Sequence, residues 1–172
     1  MRGRRTHTRA ALVLLVLAGQ SPAGAGGSGN GDWRSFQGTW SASGERRSVA
    51  VEGSGTATIA EVSGAVVLTS GEGLSRGFRG QAIGFDDGQG ASVGRCVWTD
   101  ARGDQVFSRL QGESLATGKR FRGTITGGTG RYAGLAGEYT FTWQYVVTGD
   151  DGSAIQGRAI GLEGQVRRTS DQ

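Results

Sequence analysis

The sequence predicts an all-β fold, a closed antiparallel up-and-down β-barrel of eight strands, with eight to ten as the range. Short apolar segments follow one another from Trp33 onward, and no long stretch has the 3.6-residue periodicity of a helix. Gly, Asp and Ser punctuate these segments as turn residues. A sheet with this many strands exposes two edges unless it closes on itself, so a barrel is the simplest arrangement.

Ten segments are expected to form strands, with turns between them where Gly, Asp and Ser cluster. The segments are Phe36 to Ser43, Arg47 to Glu52, Thr56 to Val62, Ala65 to Thr69, Phe78 to Phe85, Ala91 to Thr99, Gln105 to Gly112, Phe121 to Thr126, Glu138 to Thr148 and Ala154 to Arg167. The clearest turns are Ser63-Gly64, Asp86 to Gly88, Ala101 to Asp104 and Gly149 to Gly152. Glycines inside strands, among them Gly80, Gly123, Gly157 and Gly164, are expected where a strand bends or another backbone comes close.

The segment from Gly123 to Val147 is the most informative part of the chain. Its second strand carries an aromatic residue at every other position, and alternate strand residues share one face, which we expect to be buried. These residues are Tyr139, Phe141, Trp143 and Tyr145. The reversal before them holds Gly127, Gly128, Gly130, Gly134 and Gly137, which permit positive φ and close chain approach.

The first 25 residues have the pattern of a secretory signal. Four arginines precede the apolar run from Ala10 to Ala18, and Ala23-Gly24-Ala25 supplies small residues for cleavage. We therefore expect export to the periplasm or the extracellular space, with no integral membrane segment after cleavage. The predicted organisation is a signal over 1–25, a flexible leader over 26–32 and a single barrel domain over 33–168.

The charge of the chain gives no support for a nucleic-acid partner. The predicted signal carries four of the 19 basic residues and none of the 15 acidic ones, so the remainder is close to neutral. The basic pI of about 10 therefore belongs mainly to the precursor.

Missing residue types narrow the chemistry further. The only histidine, His7, lies in the predicted signal, which removes Ser-His-Asp catalysis and histidine metal sites from the mature chain. We expect no metal and no cofactor. The single cysteine, Cys96, excludes an internal disulfide.

Two motifs resemble the allene oxide cyclase and dirigent β-barrels. Thr-Gly-Gly-Thr-Gly-Arg-Tyr-Ala-Gly, at 126–134, resembles their late hairpin, and Gly94-Arg95-Cys96-Val97 resembles the cyclase strand that carries Gly-x-Cys-Val. The resemblance covers about residues 91–166. It implies an eight-stranded barrel, a homo-oligomer of the trimeric kind and a cavity lined by Cys96. The asparagine pair that holds a water in the cyclases has no counterpart, because Asn30 is the only asparagine.

The candidate site residues combine the aromatic strand with two polar groups. Ligand-binding candidates are Trp98, Tyr139, Phe141, Trp143 and Tyr145, and the alternative for them is a solid aromatic core. Catalytic candidates are Cys96 and Glu61. The alternatives are a buried structural thiol for Cys96 and a solvated carboxylate for Glu61.

Three functions are compatible with these patterns. The first is an exported barrel that binds a small hydrophobic molecule in its interior. The second is a cofactor-independent isomerase or cyclase that works by confinement, as the resemblance implies. The third is a structural envelope module with a solid core. Whether the protein is an enzyme is left open by the sequence.

Overall fold

Eight antiparallel strands form a closed barrel in chain order, with β8 hydrogen-bonded back to β1. The computed structural model describes residues 32–53, 55–116 and 118–169. The strands are β1 (Arg34–Ala50), β2 (Thr56–Gly71), β3 (Gly77–Asp86), β4 (Ala91–Asp100), β5 (Gln105–Leu115), β6 (Gly118–Gly128), β7 (Leu135–Thr148) and β8 (Ala154–Arg168), with a 3-10 helix at Gly130–Tyr132. The predicted barrel is confirmed. The predicted signal and all but the last residue of the predicted leader lie outside the described residues.

The first four predicted segments are in fact two long strands. Ser63-Gly64, predicted as a turn, lies within β2, where Ser63 pairs with Ser43 and Gly64 with Ala42 of β1. A Cβ on Gly64 would lie 2.0 Å from the carbonyl oxygen of Ser41. This glycine therefore permits the close approach of two strands and forms no turn. In a sequence, a glycine at a turn and a glycine at a close contact between strands look the same.

The other predicted turns are confirmed, and glycine supplies their positive φ. Gly88, Gly103 and Gly152 have φ values of 75°, 88° and 71°. The glycines of the 123–147 segment divide between the two predicted uses. Gly127, Gly130 and Gly134 have positive φ, whereas a Cβ on Gly128 or Gly137 would lie within 2.4 Å of a carbonyl oxygen.

Alternate residues of every strand point into the barrel and fill much of it with aromatic rings. Trp98 is the largest fully buried side chain, and its ring centroid lies 4.9 Å from that of Tyr139 and 5.8 Å from that of Phe78. Phe36 meets the Trp98 ring edge to face at 6.1 Å. This packed layer occupies the half of the barrel where the β4–β5 and β6–β7 connections lie.

Four glycines predicted at bends or close backbone contacts also make room for aromatic rings. A Cβ on Gly123 would lie 2.1 Å from Cζ of Tyr139, and one on Gly157 would lie 2.5 Å from the Trp143 ring. A Cβ on Gly80 would likewise lie 2.9 Å from the Trp40 ring. Gly164 combines both uses, because its Cβ would lie 2.4 Å from the Glu138 carbonyl oxygen and 2.8 Å from the Phe36 ring. Large and small residues thus alternate between neighbouring strands, which lets a narrow barrel contain many rings.

The two ends of the barrel differ. At the closed end, the side chain of Tyr132 is fully buried beside Phe78, with 5.7 Å between their ring centroids. At the opposite end, which we call the open end, lie the β1–β2, β3–β4, β5–β6 and β7–β8 connections. The described residues contain no helix of the length and apolar character that a membrane-spanning helix requires.

Candidate ligand-binding cavity

A cavity of about 240 Å³ occupies the open end of the barrel. Its walls are mainly apolar and come from all eight strands. The side chains and backbone that line it include Trp40, Ala60, Val62, Ala82, Gly84, Gly94, Leu110, Phe121, Phe141, Trp143, Tyr145 and Ile155. Since an apolar cavity of about 150 Å³ can hold benzene, this space suits a molecule of roughly eight to ten non-hydrogen atoms.

Small residues on three neighbouring strands create this space. Ala60 of β2 pairs with Gly84 of β3, which pairs with Gly94 of β4, so one level of the wall carries almost no side chain. Across the barrel, β6 and β7 contribute Phe121 and Phe141, whose rings are stacked 5.3 Å apart. The cavity therefore has a flat aromatic wall opposite a wall of backbone and methyl groups, which suits an apolar occupant.

One polar cluster interrupts the apolar lining. Lys119 of β6 forms an ion pair with Oδ2 of Asp86, and its Nζ donates to Oγ of Ser92 at 3.0 Å. Ser92 Oγ in turn donates to Asp86 Oδ2 at 2.7 Å, and the Gly88 backbone N–H donates to Asp86 Oδ1 at 2.9 Å. Burial lowers the pKa of the Lys119 ammonium, because the apolar walls disfavour its charged form.

The rim of the cavity carries a second cation beside an aromatic ring. The Arg46 guanidinium lies 5.8 Å from the centroid of the Tyr145 ring, and its Nε donates to the Gly152 carbonyl at 2.6 Å. Deeper in the wall, the buried indole N–H of Trp40 has no hydrogen-bond partner among the described residues. The rim thus holds Arg46 in place, while the interior offers the Lys119 cluster and the Trp40 indole N–H as polar contacts.

The predicted ligand-binding residues divide into two groups. Phe141, Trp143 and Tyr145 line the cavity, with Tyr145 exposed at its rim. Trp98 and Tyr139 are buried in the packed layer and are not part of the cavity wall. The aromatic face of β7 therefore contributes to both the core and the cavity.

The two predicted catalytic residues are not brought together. Cys96 is buried in the packed layer and does not line the cavity. Burial raises the pKa of its thiol to about 12, with smaller opposing effects from hydrogen bonds to Tyr139, Trp98 and Ser108. The thiolate that a nucleophile requires is therefore scarce at neutral pH. Glu61 lies on the exposed outer face of β2, opposite Glu45.

A second polar cluster, built around Asp100, connects the β4–β5 turn to the 3-10 helix at the closed end. Asp100 Oδ2 accepts from Nε of Arg131 at 2.8 Å and from the Tyr132 hydroxyl at 3.0 Å. Its Oδ1 accepts from the backbone N–H groups of Arg102 and Asp104, at 2.8 and 3.1 Å. Although burial alone would raise the pKa of Asp100, these donors and the Arg131 charge hold that pKa below its ordinary value.

Replacing Asp100 by asparagine is expected to lower the free energy of unfolding at neutral pH. It should also make that free energy depend less on pH in the acid range. A carboxyl whose pKa is lower when folded adds stability above its unfolded pKa of about 4, and this stability disappears as the pH falls through the folded value. The difference between wild type and Asp100→Asn should therefore be largest at pH 7 and shrink towards pH 2, as measured by urea unfolding. The exposed Asp150→Asn variant is the control. A constant difference at all pH values would contradict this assignment.

The polar cluster of the cavity was not predicted from the sequence, although one signal was available. Lys119 is the only lysine among 19 basic residues, and it lies two and four positions before Phe121 and Gly123. Strand alternation places all three on the inner face. Finding Asp86 and Ser92 beside Lys119 requires the register of four strands, β3 to β6.

Comparison with family models, with curated proteins and with solved structures found no match to this chain. The resemblance to allene oxide cyclase and dirigent barrels therefore stays a prediction, and so does the homo-oligomer that it implies. Within the part of the chain that the structure describes, no group of three or more His, Cys, Asp and Glu side chains is placed to hold a metal ion.

Proposed function

We propose that the protein is an exported β-barrel that binds one small, mainly apolar molecule in the cavity at its open end. The observation that carries the proposal is the cavity itself, which leaves about 240 Å³ unfilled in a barrel whose other half is packed with rings. A barrel with a purely structural role has no need for an unfilled apolar end. Export is supported by the pattern of residues 1 to 25.

The size of the cavity indicates the affinity to expect. An alkyl chain of about seven methylene groups gains about 5–6 kcal/mol when it is fully transferred from water to apolar surroundings. That free energy corresponds to a Kd of about 0.1 mM. The polar cluster at Lys119 provides a partner for one polar group on such a molecule.

Titration calorimetry with 1-octanol tests the proposal. We expect saturable binding of one molecule per barrel with a Kd of about 0.1 mM and a negative heat-capacity change, the signature of apolar burial. Titration with 1-propanol, which has too short a chain to fill the cavity, is the matched control and should give much weaker heats. Absence of saturation at the solubility limit of octanol would refute the proposal.

A further inference from the structure

Among the residues that the structure describes, Lys119 is the one cation that lines the barrel cavity with a carboxylate and a hydroxyl as its partners. The chain uses arginine at its 18 other basic positions. At this inward position the chain has a lysine, which carries a primary amine. The Lys119 side chain is only 21% exposed. Asp86 opposite it is held in place by the Gly88 N–H and by Ser92, so the ion pair has a fixed geometry.

The difference between the two cations is chemical as well as geometric. A guanidinium keeps its proton under all ordinary conditions, whereas an ammonium can lose one and become a nucleophile. Lysines that act through a Schiff base are characteristically desolvated by apolar surroundings. Lys119 shares the cavity with the apolar side chains of Phe121 and Leu110, and burial lowers the pKa of its ammonium.

We propose that Lys119 forms an imine with a small apolar aldehyde held in the cavity, an inference that rests on the proposed function. Asp86 accepts a proton from the ammonium, and the Nζ lone pair then forms a bond to the carbonyl carbon. The carbonyl oxygen takes up two protons, one from the nitrogen and one returned by Asp86, and leaves as water when its bond to carbon breaks. The nitrogen then forms the C=N double bond. The net reaction converts the ammonium and the aldehyde into a protonated imine and one water, so the positive charge opposite Asp86 is preserved.

The arrangement of the cavity suits such a molecule. The polar cluster lies at the β3–β4 and β5–β6 side of the open end, and the apolar walls extend from it towards Trp143 and Ile155. An aldehyde carbon at Lys119 therefore has apolar surface available for its chain. Ser92, which contacts both Lys119 and Asp86, is placed to hydrogen-bond the departing oxygen.

The experiment is reductive trapping of octanal by the full-length protein with sodium cyanoborohydride. We expect a single fast adduct whose mass equals that of octanal less one oxygen atom, mapped by peptide digestion to Lys119. It should form at least about tenfold faster than the adduct of N-acetyl-lysine amide, because the cavity holds the aldehyde beside the amine. Lys119→Arg should give no fast adduct, which separates the side chain from the terminal amine.

Two controls are needed. One distinguishes a specific reaction at Lys119 from general amine reactivity, and the other distinguishes failure of the imine proposal from failure of the binding proposal. Unfolding in urea should lower the rate at Lys119 to that of the free amine. Equal rates in folded and unfolded protein would overturn the inference. Saturable octanol binding together with no rate advantage at Lys119 would overturn the imine alone, whereas absence of both would overturn the binding proposal as well.

Discussion

Replacing Trp98 by alanine is expected to lower the free energy of unfolding by about 3–5 kcal/mol. The indole is 2% exposed and lies at the centre of the packed layer, in contact with the rings of Phe36, Phe78 and Tyr139. Neighbouring strands are fixed by their hydrogen bonds, so the barrel wall cannot collapse onto the space that the ring leaves. Urea unfolding followed by circular dichroism measures the change.

The matched control is Trp33→Ala. Trp33 is 49% exposed and precedes β1, where its main contact is with the Arg167 guanidinium, 4.7 Å from the ring centroid. Its removal should change the free energy of unfolding by no more than about 0.5–1 kcal/mol. Similar losses for both tryptophans would show that Trp98 is not the centre of the core.

Replacing Ala60 by phenylalanine is expected to weaken octanol binding at least about tenfold, a loss of about 1.4 kcal/mol or more. Ala60 lines the cavity at the level where Gly84 and Gly94 leave the wall without side chains. A phenyl ring at this position would occupy the volume that an alkyl chain needs. Calorimetry under the wild-type conditions measures the loss.

Ala65→Phe is the control for this variant, because Ala65 lies on the same strand with its side chain exposed on the outer face. It introduces the same ring without reaching the cavity, so octanol binding should stay at the wild-type level. Circular dichroism should show that both variants remain folded. Undiminished binding by Ala60→Phe would place the ligand elsewhere on the protein.

The barrel could be predicted from the sequence because its evidence is local. The aromatic alternation at Tyr139, Phe141 and Trp143 needs only strand periodicity, and the turns at Gly88, Gly103 and Gly152 need only the chemistry of glycine. The number of strands was harder to predict. Gly64 has the local signature of a turn, and only its contact with the backbone of β1 shows that it belongs to a long strand.

The cavity could be predicted only in part, because it depends on which residues meet across strands. The rings of Phe141 and Trp143 follow from alternation, but the division between packed layer and cavity depends on the small residues Ala60, Gly84 and Gly94 on distant strands. Lys119 and Asp86 are 33 positions apart in the chain, and no local pattern joins them. Glu61 is a catalytic candidate by residue type, and the strand register places it on the outer face.

The most direct measurement of the central claim is a set of nuclear Overhauser effects between bound octanol and the aromatic protons of the protein. A ligand in the cavity predicts contacts from the octanol methylene protons to the rings of Phe121, Phe141 and Trp143. Contacts restricted to the exposed Trp33 ring, which lies outside the cavity, or none at saturating octanol, would contradict it.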